Sequence, residues 1–374
     1  MTISDTFDAV HPVNDRYTPP QTGELDQIAA VFTDGRLSGG APVLAEYERA
    51  LADWFGVRRA VAVNSGSSAI HAAFVALDVR PGDEVLVPAT APIPTALPIL
   101  TCGAIPVIVD TGPGSLALHA ADLKAKITAR TKAAISLPLW GYPVDDADAA
   151  TVLAEAGVPL IEDACQAHGT RIRGQYAGTR YRAGCFSTHD RKLLSTGEGG
   201  FVLTDDLELA DRIDHYTHLG HLKGTQHGVN YKLAAPLAAI GLTRLRELHT
   251  QLQQRRDNAH QILAGLPRDG SILAELPYAK GDEPNYYNLV LTTRPDKAEA
   301  TATAFAAAGL PPDSSRYRYK PLYHQPIFAQ YATPCPNAEQ LTATTIQLPV
   351  HPGMTPSALR WVTDRTHALA EGQP

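Results

Sequence analysis

VPLIEDACQAHGTRIRGQYAGTRYRAGCFSTHDRKLLSTGEGGFVLTD, residues 158–205, contains three short apolar runs, each ending in a polar cluster. VPLIED (158–163) is apolar until Glu162 and Asp163, and GCFST (184–188) and GFVLTD (200–205) follow it. Apolar runs of this length, bounded by Gly, Pro or Asp, predict strands buried on both faces. Asp163 then ends a strand, and the segment from Ser187 to Gly200 links two others. Ligands of open α/β sheets bind beyond the carboxyl ends of the strands, so both features fall where chemistry is expected.

Upstream, the same pattern recurs in AVAV (60–63), EVLV (84–87), IPVIVD (105–110) and KAAISL (132–137), giving seven runs in all. Helix-length segments such as 66–79 and 144–156 separate several of them, which predicts a doubly wound α/β sheet. The last two runs stand too close for a helix between them, so part of the sheet is expected to be antiparallel. Residues 44–55 place Leu44, Tyr47, Leu51, Trp54 and Phe55 on one helical face. A long helix is expected over 234–264, with Pro236 near its start, where a missing N–H costs nothing. Leu237, Ile240, Leu245, Leu248 and Leu252 follow at helical spacing. Beyond it, 287–293 reads as a strand, 297–308 as an Ala-rich helix, and Arg316 to His324 as an aromatic-basic loop. The expected organisation is a large domain over 1–250 and a smaller one over 251–374.

Composition narrows the function. The chain has 374 residues, 32 Lys+Arg against 39 Asp+Glu and a net charge of -7, without basic clustering. That argues against a nucleic-acid binder or a binder of anionic membranes. Cys102, Cys165, Cys185 and Cys335 show no CxxC spacing, so neither a disulfide framework nor a zinc site is expected, and no other metal-ligand pattern occurs. The first residues lack a signal-peptide pattern, and the most apolar stretch, 84–110, is broken by five prolines, too short for a membrane span. A soluble, cytoplasmic protein is the expectation.

Three segments carry chemistry. Asn64-Ser65-Gly66-Ser67-Ser68 joins a strand to a helix, and a Ser/Gly turn at a helix N-terminus suits a phosphate, although serine also caps helices with no ligand present. Asp163 can pair with a cation, such as a protonated ring nitrogen or a metal, or cap a helix. Lys192 lies in a loop dense in Ser, Thr and Gly, where it can form a Schiff base with an aldehyde or remain a surface ion. Phosphate turn, acidic strand end and loop lysine, in that order, form the layout of a pyridoxal phosphate enzyme.

With these residues in view, the chain resembles the DegT/DnrJ/EryC1/StrS family of sugar aminotransferases. Phe186-Ser187, Lys192 and Gly197-Glu198-Gly199-Gly200 match its lysine motif. Glu162, Asp163 and Gln166 match its acidic signature, Ser65-Gly66-Ser67 its phosphate turn, and Gly228-Val229-Asn230-Tyr231-Lys232 its Gly-x-Asn-x-Arg motif. Gly35 to Gly40 with Glu48, Pro336 to Glu339 and Leu348 to His351 fit its ends, so the likeness covers roughly residues 20–370. It implies the aspartate-aminotransferase type of fold (pyridoxal phosphate fold type I). That is a mainly parallel seven-stranded sheet in the large domain, with a smaller α+β C-terminal domain. It also implies a homodimer with shared active sites.

By the same resemblance, Lys192 would hold pyridoxal 5'-phosphate and carry the proton, and Asp163 would pair with the pyridinium nitrogen. Gln166 would touch the ring, while Ser65, Gly66, Ser67, Ser68, Ser187 and His189 would line the cofactor site. Asn230 would reach the phosphate from the partner subunit. Amino donor (glutamate or glutamine) and keto acceptor (sugar, nucleotide sugar or cyclitol) would be the substrates, in natural-product or surface-sugar biosynthesis. Pro92 stands where relatives place a ring-stacking aromatic, Lys232 replaces their Arg, and Thr188, Asp190 and Arg191 depart from the commoner lysine loop. Lys232, Tyr317, Arg318, Tyr319 and Tyr323 are the candidate substrate residues. The Pro321-Leu322-Tyr323 variant is similar to the aminocyclitol-forming branch. The alternatives are an elimination or dehydration on the same cofactor, and a regulator that has kept the fold.

Overall fold

The computed structural model describes residues 21–266, 273–310 and 320–371. Seven of its strands are the seven apolar runs: β1 Arg59–Val63, β2 Glu84–Pro88, β3 Ile105–Val109, β4 Thr131–Ser136, β5 Leu160–Asp163, β8 Ala183–Ser187 and β9 Gly200–Thr204. A two-residue hairpin, β6 Arg171–Ile172 with β7 Gln175–Tyr176, lies between β5 and β8. The large sheet runs β1-β9-β8-β5-β4-β2-β3. β9 is antiparallel to both neighbours, and every other pairing is parallel. The loop between β8 and β9 is therefore the tight return expected of two strands with no room for a crossover helix. Because β9 runs backwards, its first residue, Gly200, lies at the edge where the other six strands end.

Strand alternation decides what faces what. Val61, Val63, Val85, Val87, Ile135, Ile161 and Cys185 share a core with α3 Gly66–Ala76, α4 Ile93–Thr101 and α7 Leu207–Thr217. Their neighbours Ala60, Ala62, Phe186 and Leu203 face the other way. They pack against α2 Pro42–Phe55 and α8 Ala235–Leu263, while Leu86, Ala134 and Leu160 pack against α5 Ala120–Lys126 and α6 Ala147–Glu155. α1 Glu24–Asp34 also belongs to this half. Asp163, two residues beyond Ile161, projects to the α3 and α4 side. Glu162 projects to the opposite side.

Glu162 is fully buried, accepts a hydrogen bond from the Arg180 amide at 3.0 Å, and has no partner at Oε1 among the described residues. Burial pushes its carboxyl up to about 7, against the lowering pull of the Gly178 and Arg180 amides and the Arg180 guanidinium. The folded chain thus binds this proton more tightly than the unfolded chain, whose ordinary value is 4.5. Below 4.5 both states are protonated and no penalty exists; it grows through the window up to about 7 and is constant above it. Glu162→Gln is expected to widen its stability advantage over the native chain by on the order of 3 kcal/mol across that window. Denaturant unfolding at pH 4.5 and pH 8 measures it, and an identical difference at both pH values refutes it.

After α8 the chain builds a three-stranded antiparallel sheet, β10 Leu273–Glu275, β11 Leu289–Thr293 and β12 Thr345–Leu348, with α9 Ala298–Ala307, α10 Pro336–Thr344 and α11 Pro356–Ala370. Contacts at two places near the ends of β2 and β3 help fasten this part to the large sheet. The Leu322 amide donates to the Ala89 carbonyl at 2.7 Å. Asp110, just past β3, accepts from the Ala338 amide at 2.9 Å and from the Asn337 amide and side chain at 3.2 and 3.0 Å. Asp110 thereby supplies, from the large sheet, the acceptor that the first turn of α10 lacks. Pro336 to Glu339 thus has a structural purpose as the docking end of a helix.

Candidate active site

Asp163 is buried at the end of β5, and both its oxygens are occupied. Oδ2 accepts from the Thr95 hydroxyl at 2.6 Å, and Oδ1 accepts from the Cys165 amide at 3.1 Å. Thr95 lies in the first turn of α4, directed at Asp163 because α4 packs on the face to which Asp163 projects. Neither donor is charged, so the carboxylate has no countercharge in these bonds.

The Ser65 turn meets Asp163 through Cys165. Ser65 caps α3: its hydroxyl accepts from the Ser68 amide at 3.0 Å and lies 2.8 Å from the Ser68 hydroxyl, which donates to Asn64 Oδ1 at 2.7 Å. Gly66 is required at the next position. A Cβ there would stand 2.7 Å from Ser187 Cβ and 2.9 Å from Cys165 Sγ. The turn therefore rests directly on the end of β8 and on the residue after Asp163's neighbour, leaving the first α3 amides, which have no intrahelical acceptor, at the sheet edge. Ser67 is exposed and Ser187 is buried, its oxygen accepting from the His189 amide at 3.3 Å.

Lys192 closes the cluster from the β8–β9 loop. Its amide donates to the His189 carbonyl at 2.8 Å, and Thr188 and Thr196 tie the loop's base by hydroxyls 2.7 Å apart. Burial pushes the Cys165 thiol well up; the charge of Asp163 adds to that rise and the charge of Lys192 opposes it. His168 is buried edge-on against the stacked rings of Phe186 and Phe201, with neither ring nitrogen hydrogen-bonded among the described residues. Burial first and Lys192 second depress it to about 3, so it is a neutral ring.

Gln166 Oε1 accepts from the Trp140 amide at 2.7 Å, orienting its side chain within this edge. Gly141, at φ +79, must be glycine, since a Cβ there would overlap Asn285 Oδ1. Asn230 and Lys232 bond each other, Lys232 Nζ donating to Asn230 Oδ1 at 2.6 Å, on a segment whose Tyr231 carbonyl accepts from the Asn64 amide at 2.8 Å. Pro92 precedes α4 at its N-cap. Tyr323 is buried and donates to Glu339, and burial pushes its phenol up. Tyr317, Arg318 and Tyr319 lie outside the described residues.

The edge thus presents a set fitted to pyridoxal phosphate. A carboxylate without a cationic hydrogen-bond partner suits a ring cation, helix amides with flanking hydroxyls suit a phosphate, and a lysine suits an aldehyde. Residues 21–366 match the DegT/DnrJ/EryC1/StrS aminotransferase family. The chain belongs to that family. As a family member it is an aminotransferase, a transferase with sugar aminotransferases among its relatives.

Several relatives match over nearly the whole of both chains. GDP-perosamine synthase of Caulobacter vibrioides is 31% identical, over 89% of this chain and 91% of its own. The dTDP-3-amino-3,4,6-trideoxy-alpha-D-glucose transaminase of Streptomyces venezuelae is 33% identical over 92% and 91%. L-glutamine:2-deoxy-scyllo-inosose aminotransferase of Streptomyces lividus is 34% identical over 68% of this chain and 65% of its own. Among solved structures, S. venezuelae DesV in complex with a ketimine intermediate superposes with a TM-score of 0.85 at 29% identity, covering 93% and 94% of the two chains. The family's α/β fold is the one described above.

Three contacts of the site had not been read from the sequence. Thr95 sits three residues after Pro92, where a polar residue on the sheet-facing side of α4 is the one available signal. Tyr287 opens the strand expected over 287–293, Asn285 lies just before it, and no local signal marks either. Among the described residues no helix is long and apolar enough to cross a membrane.

Proposed function

We propose that this protein is a pyridoxal phosphate-dependent aminotransferase that moves an amino group from glutamate or glutamine to a keto sugar, nucleotide sugar or cyclitol. The observation that carries this reading is the buried Asp163 at the strand end, held by the Thr95 hydroxyl and the Cys165 amide, beside a Ser65 turn that rests on Cys165 and Ser187. The cofactor, when bound, supplies an aldehyde for the amine and a ring that takes up the electron pair left on the substrate carbon. Lys192 Nζ would hold the cofactor's aldehyde end and would carry the proton. Asp163, fixed by Thr95 and Cys165, would hold a protonated ring nitrogen. Gln166, Ser67, Ser68, Ser187 and His189 line the site, and Lys232, Tyr317, Arg318, Tyr319 and Tyr323 would face substrate. Glutamine and a cyclitol ketone appear in the name of one relative and an oxo nucleotide sugar in that of another, and the reading places the enzyme in the cytoplasm.

Two structural proposals accompany it. The large domain ends within α8, which runs through residue 250, and the three-stranded sheet belongs to the smaller one. The protein is a homodimer in which Asn230 serves the partner's cofactor; Leu25, Phe32 and Leu222, each more than half exposed, are apolar surface for that contact. Light scattering at micromolar concentration tests the dimer.

The reading is tested by the purified protein's visible absorbance. A lysine-dependent band that is lost on adding glutamate or glutamine, and regained with a keto acceptor, supports it. A colourless protein that takes up no pyridoxal phosphate refutes it. Pro92 offers less area to the ring than an aromatic side chain. Pro92→Trp is expected to slow cofactor loss on dialysis several-fold, the worth of about 1 kcal/mol of stacking; equal retention would sink that idea.

A further inference from the structure

Tyr287 belongs to none of the family motifs, yet its ring centroid lies 5.1 Å from Lys192 Nζ, within reach of an ammonium–π contact. The contact is built, because the segment 284–288 is fastened along its length. Arg255 Nη1 donates to the carbonyls of Tyr286 and Tyr287 at 3.1 and 3.3 Å, and Arg256 Nε donates to that of Pro284 at 3.2 Å. Asn285 Oδ1 accepts from the Tyr287 amide at 2.7 Å. Asn285 Nδ2 donates to the carbonyls of Gln166 and His168 at 2.9 and 3.0 Å, tying this segment to the strand-end loop that carries Gln166.

Tyr286 completes the shelf. It adopts φ +50, a left-handed backbone that a bulky residue rarely takes, and buries its ring with the hydroxyl donating to Glu275 Oε1 at 3.0 Å. Its neighbour Tyr287 stays half-buried and covers the lysine. Two helix arginines, a buried asparagine and a backbone outlier thus hold one aromatic face over one amine. Backbone strain of this kind persists only where the surroundings over-determine it.

We propose that Tyr287 is a positioning residue for Lys192: its π face holds the free amine in place and favours the ammonium form. The proposed consequence for catalysis rests on the aminotransferase reading above, whereas the effect on the lysine itself does not. In that reading Lys192 Nζ would hold the cofactor's aldehyde end at rest and would carry a proton once released from it. A face that receives the ammonium keeps Nζ beside the reacting carbon instead of releasing it to solvent.

The test compares Tyr287→Phe, which keeps the face, with Tyr287→Leu and Tyr287→Met, which remove it at similar volume; either of the latter suffices if it folds with a native melting temperature. In protein freed of cofactor, acetylation of Lys192 by acetic anhydride is followed across pH by peptide mass spectrometry. The Leu or Met variant is expected to lower the midpoint by about half a pH unit, which makes labelling roughly threefold faster below it, and Tyr287→Phe is expected to match the native protein. An unmoved midpoint in the Leu or Met variant, with or without a higher plateau rate, makes the ring a mere cover and overturns the proposal. In protein loaded with pyridoxal phosphate, the same variants are expected to lower the turnover of the donor half-reaction with little change in KM. A native protein that binds no pyridoxal phosphate refutes the aminotransferase reading alone, and the labelling midpoint still decides Tyr287.

Discussion

Replacing Lys192 with alanine is expected to abolish the lysine-dependent visible band and to lower turnover by at least about a thousandfold. Loss of a positioned acid–base group alone costs about 10²–10⁴ in rate. Here the same residue also provides the covalent anchor, so the two losses fall together. The geometry explains why no neighbour substitutes. His168 is close enough to Lys192 for its charge to help depress the ring to about 3, which leaves the imidazole a poor proton acceptor near neutrality. Cys165 carries a thiol pushed well up by burial, which keeps it protonated and poorly nucleophilic. Small primary amines in the assay are expected to restore part of the activity, because they can enter the space vacated by the side chain. Turnover within tenfold of the native enzyme would remove Lys192 from the chemistry, and a variant without native circular dichroism would be replaced by Lys192→Met before that conclusion is drawn.

The sheet was legible because its strands are buried on both faces. Runs such as Val85 to Val87 and Leu160 to Ile161 are continuous apolar stretches, whereas an exposed sheet would have alternated. The spacing between GCFST and GFVLTD even announced the antiparallel strand β9. The direction of side chains at the strand ends was not legible to the same degree. Glu162 and Asp163 look equivalent in a sequence, and only the phase of β5 sends Asp163 to the α4 side and Glu162 into the opposite core.

Long-range polar partners were hidden for a related reason. Thr95 meets Asp163, Asp110 caps α10, and Asn285 links Gln166 to Tyr287, each through a contact between segments distant in the chain. None has a local signature, since a threonine or asparagine side chain looks the same whether it caps, solvates or holds a catalytic acid. Motif residues such as Ser65, Gly66 and Ser187 stood out because they are packed into one short turn and one loop. The aromatic cover on Lys192 comes from a chain segment beyond α8, and was visible only once folded.

Asp163→Asn carries the second large effect, and the surrounding bonds say why. Both oxygens of Asp163 accept hydrogen bonds from neutral donors, Thr95 Oγ1 and the Cys165 amide, so the side chain is oriented without being neutralised. Its negative charge is free to act on a ring nitrogen. Asparagine keeps the size and can keep one acceptor, but its amide nitrogen then faces either the Thr95 hydroxyl, the Cys165 amide or the pyridine nitrogen as a donor. A donor at that nitrogen favours the unprotonated ring, the opposite of what the carboxylate favours. Loss of a preorganised charge at the point where electron density accumulates costs about 10²–10³ in turnover. Asp163→Asn is therefore expected to lose that factor while still binding pyridoxal phosphate through Lys192 and the Ser65 turn. Thr95→Val, which frees Oδ2 without removing the charge, is expected to lose far less, about tenfold or below. Steady-state turnover of the two variants, with cofactor occupancy measured spectroscopically, decides between charge and orientation. If Thr95→Val falls as far as Asp163→Asn at full occupancy, the placement of the carboxylate outweighs its charge, and the role assigned to Asp163 as the ring's countercharge is wrong.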